Sequence, residues 1–597
     1  MKSIFKSSPL FFVVITVSLI MVKCAIIVPP SGGAVDVTPP IVKESFPPNY
    51  SSFFKDNKIR IFFNEYVQLK DYTNQITISP IPENDPDYSL KGKSIQVEFK
   101  EKLKDSITYT INFGNSIVDY TAGNIFSDYK FVFSTSNHID TSEIRGKIVD
   151  AFTLKPIEKC FAMIYKLNVD SIPIKEKPLY FAKTDKSGLF EISNIRNGKY
   201  KIFALIDANS NYLYDLPNES IAFIDTLVVS NFMIKQKFII DTTQLKNDSI
   251  SKGNYIKDSI KFKQDSLFAD SINRRNTYKL FMFQEKDTVQ QLLKASLSDN
   301  IKLTFIFKQS VKNLQINPLN VKFDSLWKIE ERNPTNDTII YWLLNPKSDS
   351  LILQVVDAGK ILDTAELRIT KQKSILGKGT PVIPKVTFKT NIGSGGFDYY
   401  KSLILYSPTP IMQYDFSQIK LMVKKDSIQD TLKFAIHFLD TINKKLQIDY
   451  KWLESKDYTL LIPKGTFYDV NKNKNDTILI PFKTKTFNDY GTIQINVTLP
   501  DTLEKVNYIV QLMNDKENVL IERPIIQSQK IKFDFVNPGK YLIKVIRDSN
   551  GNGKWDTGNY MKKIQAEKVY YYHTSIIVKA GWDITDQEVD LNKIANP

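Results

Sequence analysis

Cysteine is nearly absent from this chain: 597 residues hold two, Cys24 and Cys160. A disulfide framework and a Cys-x-x-Cys zinc ribbon are both excluded. Histidine is as scarce, with only His138, His437 and His573. None stands beside a Ser or Cys nucleophile, and no His-x-x-x-His pair exists to hold zinc. The nucleophile elbow and the Gly-rich phosphate loops Gly-x-x-x-x-Gly-Lys and Gly-x-Gly-x-x-Gly are missing too. Paired carboxylates for glycoside hydrolysis are not local in a chain, so their absence cannot be read this way. Arginine is sparse. The net charge of +15 comes from lysines spread evenly, with no Arg-rich stripe to read phosphates, so no nucleic-acid partner is expected. Gly (22) and Pro (27) are too few for a collagen-like or long disordered chain.

What is abundant points to strands. Aromatics reach 12%, with 29 Tyr and 38 Phe, and Ile and Val are frequent. Short runs such as Ile59-Arg-Ile61-Phe62-Phe63 and Tyr109-Thr-Ile111-Asn-Phe113 alternate with period two, as half-buried strands do. The expected fold class is all-β, a multidomain rod of tandem β-sandwiches, with roughly four domains on length alone.

One stretch occurs twice. Gly539-Lys540-Tyr541 opens a strand that ends in Asp548-Ser-Asn550-Gly-Asn552-Gly553-Lys-Trp555-Asp556. Gly198-Lys199-Tyr200 opens another that ends in Asp207-Ala-Asn209-Ser-Asn211-Tyr212-Leu-Tyr214-Asp215. The Gly-to-Asp and Asp-to-Asp spacings agree, which marks an internal duplication. The surroundings repeat as well. Asp457-Tyr458-Thr-Leu460 matches Tyr109-Thr-Ile111, and Thr466-Phe467-Tyr468-Asp469 matches Ser116-Ile117-Val118-Asp119. The layout read from this is a leader at 1–24, a tether at 25–37, sandwiches at 38–137 and 142–240, and a polar linker at 241–276. A middle β domain at 277–375 and second copies of the two sandwiches at 386–487 and 490–594 follow.

The leader has Lys2 and Lys6, then an apolar run, Leu10–Val22, too short to cross a bilayer as a helix, then Lys23 and Cys24. It resembles a bacterial lipoprotein signal, which implies that Cys24 is acylated; Lys23 stands where a small residue is expected. Residues 39–136, from Pro39-Pro40 and Phe46-Pro47-Pro48-Asn49 through Val118-Asp119 to Phe131-x-Phe133, resemble the S-layer-type bacterial Ig-like domain. Residues 142–230, with Thr184-Asp185-x-x-Gly188-x-Phe190 and the Gly198-x-Tyr200 strand, resemble transthyretin-like, carboxypeptidase-regulatory-like sandwiches. Together they resemble Ig-like-domain lipoproteins of Bacteroidota. That resemblance implies a lipid-anchored outer-membrane location, on the periplasmic or the surface face, and no particular activity.

The Asp/Asn loops are the candidate site. Asp548, Asn550, Asn552 and Asp556 take positions 1, 3, 5 and 9 of an EF-hand-like loop, with Asp207, Asn209, Asn211 and Asp215 matching them in the earlier copy. Alternate oxygens on a tight loop are what calcium needs. The twelfth position is Asn559 rather than a bidentate Glu, which makes any site weak; the same residues also suit a loop closed by Asx turns. Asp469-x-Asn471-x-Asn473-x-Asn475 is a third such loop. His437 is expected in a core, Cys160 as a small buried hydrophobe, and Val569-Tyr570-Tyr571-Tyr572 as a strand with one exposed tyrosine face. No catalytic residues are assigned. The function expected is a non-enzymatic, structural or docking subunit of an outer-membrane complex, with an envelope protein as partner. A glycan- or surface-binding adhesin is the alternative, and a hydrolase with an interdomain site comes after it.

Overall fold

The computed structural model describes residues 36–232, 277–322, 326–344, 350–368, 384–425, 428–501 and 505–594. Cys24, the leader, most of the tether and the 241–276 linker lie outside these residues. The chain groups into two compact units: Met1–Asp150 with Lys155–Met282, and Ala151–Leu154 with Phe283–Pro597. Both are built from β-sandwiches, as expected.

In the first unit, the N-terminal sandwich sets a four-stranded sheet, ordered Val42–Phe46, Lys58–Phe63, Ser94–Glu98, Asp87–Leu90, against a three-stranded one, Thr77–Ser79, Thr108–Asn112, Lys130–Ser134. A short pair, Val67–Leu69 with Ile117–Asp119, closes one end. Alternation decides which side chains go inside: Ile59, Ile61 and Phe63 of one strand, with Ile95 and Val97 beside them, share a core with Ile111, Phe131 and Phe133 of the other sheet. Each such side chain, fully buried, contributes about 1.5–3 kcal/mol.

The second sandwich runs as one continuous sheet, ordered Tyr180–Lys183, Phe161–Tyr165, Lys199–Ile206, Ser220–Phe223, Thr277–Gln284, Ser142–Asp150 and Leu189–Ile195. Within it, Ser142–Asp150 pairs antiparallel with Leu189–Ile195 and parallel with Thr277–Gln284. This corrects the domain layout. Thr277–Gln284 was expected to open the middle domain, yet it completes the second sandwich, with Leu280 and Met282 buried in that core. Period-two alternation marks a strand without naming its partner. Gly146 permits the pairing, because a Cβ there would run into the Tyr278 carbonyl oxygen.

In the second unit, the middle sandwich packs a four-stranded sheet on a three-stranded one around Leu303, Phe305, Tyr341, Leu351 and Val355. The next repeats the N-terminal sandwich. Lys389–Thr390, Leu403–Tyr406, Lys445–Asp449 and Ala435–Phe438 form one sheet; Lys420–Lys425, Asp457–Ile462 and Ile478–Lys483 lie in the other; Ile411–Tyr414 with Phe467–Asp469 closes the end. The last repeats the second. Val519–Ile525, Asn507–Asn514, Gly539–Asp548 and Val569–Tyr571 form one sheet, and Gly491–Thr498 pairs antiparallel with Gln529–Val536 and parallel with Asp583–Asp590.

The duplication extends to side chains. Tyr109 and Tyr458 hydroxyls accept backbone N–H bonds from Lys104 and Leu453 at 3.0 and 3.1 Å. Thr135 and Thr484 hydroxyls accept from Ile107 and Lys456 at 3.0 and 2.9 Å.

Candidate functional site

Each Asp/Asn loop leaves the end of a central strand, Lys199–Ile206 or Gly539–Asp548, and must turn back to a neighbouring one. The first Asp organises the turn. Asp548 is buried, and its carboxylate accepts from the backbone N–H groups of Gly551, Asn552 and Gly553 at 2.7, 3.1 and 2.9 Å. Asp207 accepts from Asn209, Ser210 and Tyr212 at 3.1, 2.6 and 2.7 Å.

The sixth position is left-handed in both loops, Gly553 at φ 77° and Tyr212 at φ 64°. Glycine takes that conformation freely, whereas tyrosine is strained in it. Tyr212 is held there by its ring, which packs on Phe161 and Phe181 at 5.1 and 5.2 Å.

The ninth position gathers the two asparagines. Asn550 and Asn552 both donate their amide N–H to Asp556 at 2.5 Å, and Asn209 and Asn211 donate to Asp215 at 3.1 and 2.8 Å. The structure therefore brings all eight predicted residues together, four in each loop. It turns amide donors, not oxygens, towards the second carboxylate. Each asparagine oxygen accepts a backbone N–H two residues on, as in Asn550 to Asn552 at 3.0 Å and Asn552 to Lys554 at 2.9 Å. Among the described residues no three His, Cys, Asp or Glu side chains stand together as a metal-holding group.

Two residues of the loops were not anticipated. Glu567 is buried, and its two oxygens accept from Ser549 and Asp556 N–H at 2.6 and 3.0 Å. Glu219 is buried likewise and accepts from Ala208, Asp215 and Leu216 at 3.2, 2.9 and 3.0 Å. Burial, together with the charges of Asp548 and Asp556, holds the Glu567 carboxyl above its ordinary range against the pull of the two N–H donors. The two glutamates lie 12 and 19 residues after the first Asp, so counting forward misses the match. Counting back from the next strand finds it: each sits four residues before the equivalent positions Phe223 and Tyr571, which pair with Phe203 and Lys544.

The third loop is closed in the same manner. Asp469 accepts from Asn471 and Asn473 N–H at 2.9 Å each, while buried Asn475 donates to the Pro463 and Asp476 carbonyls, both at 2.7 Å. Its counterpart Asp119 accepts from Ala122, Gly123 and Asn124 at 2.5, 3.1 and 2.8 Å. Burial opposes the charge of Asp119, but these N–H groups outweigh it and hold the carboxyl below its ordinary value of 3.8.

Cys160 is buried, as expected, and burial pushes its thiol up, away from reactivity. His437 is not a core residue: its strand lies at a sheet edge and its ring is exposed, 3.6 Å from Asp449. His138 is exposed too, with Asn137 and Asp140 beside it. The tyrosine run offers no exposed face, because Tyr570 enters the core and Tyr571 and Tyr572 are half-buried. No helix among the described residues is long and apolar enough to cross a membrane.

Strings of β-sandwiches with self-closed loops describe a broad class, and one part of the chain can be placed within it. Residues 36–135 match the bacterial Ig-like domain family. Solved structures are only distantly similar. The N-terminal part of the bacterial S-layer protein SbsC is 14% identical, over 32% of this chain and 43% of that one, with a TM-score of 0.12. The longer S-layer fragment rSbsC(31-844) is 10% identical over 91% and 67%, with a TM-score of 0.13. BcpA, the major pilin subunit of Bacillus cereus, is 10% identical over 75% and 98%, with a TM-score of 0.13. The chain thus spans less than half of the first of these, and likeness at this level says nothing of function. No curated protein matches the sequence.

Proposed function

We propose that this chain is a non-catalytic cell-envelope lipoprotein, tethered by acyl chains on Cys24 and acting as a structural docking subunit of an outer-membrane complex. The observation that carries the reading is where its polar side chains are used. In both copies of each duplicated sandwich, the loop carboxylates Asp207, Asp548, Glu219 and Glu567 and the hydroxyls of Tyr109 and Tyr458 are hydrogen-bonded to the backbone of their own loops. Such groups stiffen connections between strands, and stiff connections suit a spacer that presents surfaces at a distance. The bacterial Ig-like match over 36–135 supports a place outside the cytoplasm.

Affinity capture of the native lipidated protein from mildly solubilised membranes tests the role. It should recover an outer-membrane β-barrel at fixed stoichiometry, and recovery of the chain alone counts against docking. Cys24→Ser should release the chain from the membrane fraction; unchanged retention counts against the anchor.

A further inference from the structure

Five large apolar side chains stand exposed at one end of the N-terminal sandwich: Val37 (76%), Ile41 (63%), Tyr66 (59%), Tyr120 (70%) and Ile125 (50%). The backbone ties them into one patch. Tyr120 N–H donates to Tyr66 O at 2.9 Å, Asn64 N–H donates to Ile41 O at 3.0 Å, and Ile125 bridges Val118. The Asn124 amide donates to Asp36 O and Thr38 O at 3.0 and 3.2 Å, which pins the incoming chain against the same end. The opposite end carries residues 99–107 and the exit at 135, because Lys58 pairs with Glu98 at that side and Phe62 with Ser94 at this one.

Lysines rim the patch. Lys93 lies over the Tyr66 ring at 5.5 Å and donates to Asn64 O at 3.0 Å; Lys70 sits beside Gly123; Lys91 shares the 91–94 turn. The nearby acids are engaged locally, Asp36 by Thr38 and Glu65 by Asn64.

The duplicated sandwich serves as an internal control. There the equivalent backbone bond runs from Val470 N–H to Pro410 O at 3.0 Å, and the equivalent bridge joins Tyr468 to Lys474. Tyr66, Tyr120 and Ile125 thus correspond to buried Pro410, half-buried Val470 and exposed Lys474. The fold does not require the exposed aromatics, since the same loops form without them. They occur in the copy whose chain enters from Cys24, twelve residues before Asp36. A segment of that length spans at most about 40 Å.

We propose that this end of the N-terminal sandwich rests on the lipid surface, with Tyr66, Tyr120 and Ile125 at the headgroup–acyl boundary and Lys70, Lys91 and Lys93 on anionic headgroups. The inference builds on the Cys24 anchor of the proposed function. Amphipathic tyrosine rings favour that boundary, where one end is apolar and the other wet. Lysines near an anionic surface add attraction that decays within a Debye length. An anchored chain held in this way stands on its first domain with a set orientation.

The test uses the full lipidated chain carrying Tyr120→Cys and an environment-sensitive dye. Cys24 is acylated and Cys160 is buried, so the dye goes to position 120. In vesicles of phosphatidylcholine and phosphatidylglycerol containing brominated lipids, its emission should shift to the blue and be quenched. A dye at Lys102→Cys, at the other end, should stay solvent-like. With the dye at Val37→Cys, the further changes Tyr120→Val and Ile125→Lys, which copy the other sandwich, should lose the shift. A chain that floats with vesicles while its 120 dye remains solvent-like overturns the orientation and leaves the anchor standing. A chain that fails to float overturns both.

Discussion

Asn194 and Phe535 stand at one position of the duplicated sandwich, and both are left-handed, at φ 57° and 55°. Each sits at a bulge where the register shifts, between Ser142 and Ile144 in one copy and Gly491 and Ile493 in the other. Each side chain reaches into the preceding sandwich. Asn194 donates to the Thr110 hydroxyl at 3.2 Å, whereas the Phe535 ring stacks on Tyr400 at 4.2 Å. Asparagine adopts this backbone readily, whereas phenylalanine is strained in it.

Stability of Phe535 variants follows from that contrast. Phe535→Ala loses the ring and keeps the left-handed penalty; Phe535→Asn loses the ring and sheds most of the penalty. By calorimetry on the full chain, the Asn variant should exceed the Ala variant by about 1 kcal/mol. An Ala variant as stable as the Asn one would show that the stack, not the backbone, sets the joint.

Tyr200 and Tyr541 donate their hydroxyls to the carbonyls of Arg196 and Asn537, both at 2.5 Å. Replacing either by Phe should cost about 1 kcal/mol, and the two costs should agree. Burial also raises the Tyr200 hydroxyl to about 12 from its ordinary 10.0. The folded state therefore favours the neutral form. This contribution is complete below pH 10 and disappears as pH rises towards 12. The alkaline absorbance of wild type minus that of Tyr200→Phe isolates this one hydroxyl and should titrate at about 12; a difference that titrates at 10 would refute the buried donor.

Asp119 moves stability the other way. Its carboxyl is held below 3.8 in the folded chain, so its contribution is present above that value and fades as pH falls beneath it. Asp119→Asn should flatten the acid limb of the stability curve for the N-terminal sandwich, measured by hydrogen exchange at residues 117–125. An unchanged limb would mean that other carboxylates govern acid unfolding.

The Asp/Asn loops are expected to hold without a cation. Asp548→Ala strands three backbone donors and should cost about 1–3 kcal/mol, in EGTA and in calcium alike. A metal site would behave differently, with calcium at ten times its Kd adding about 1.4 kcal/mol. A rise of that size in the melting profile, lost in Asp556→Ala, would assign calcium to the loop.

Much of this was legible in the residues. The equal spacing from Gly198 to Asp215 and from Gly539 to Asp556 marked the duplicated strand and loop, because an Asx-closed turn is built from neighbours in the chain. The eight loop residues were found for the same reason. Glu219 and Glu567 were not, since a Lys563–Tyr560 turn and an Asn559–Ile564 bridge lengthen the second loop and break the count. His437 looked like a core residue because its strand is apolar, but only sheet order reveals that the strand is an edge.

The amino-acid sequence alone determined strand content, the duplicated strand and loop, and the local closure of each loop, all set by alternation and by contacts within a few residues. Tertiary structure alone decided that Thr277–Gln284 joins Ser142–Asp150 rather than the next domain, that Asn194 and Phe535 share a bulge, and that Tyr66 meets Tyr120 on an open surface. Those outcomes depend on pairing between segments tens to more than a hundred residues apart, and a strand's own pattern does not encode its partner.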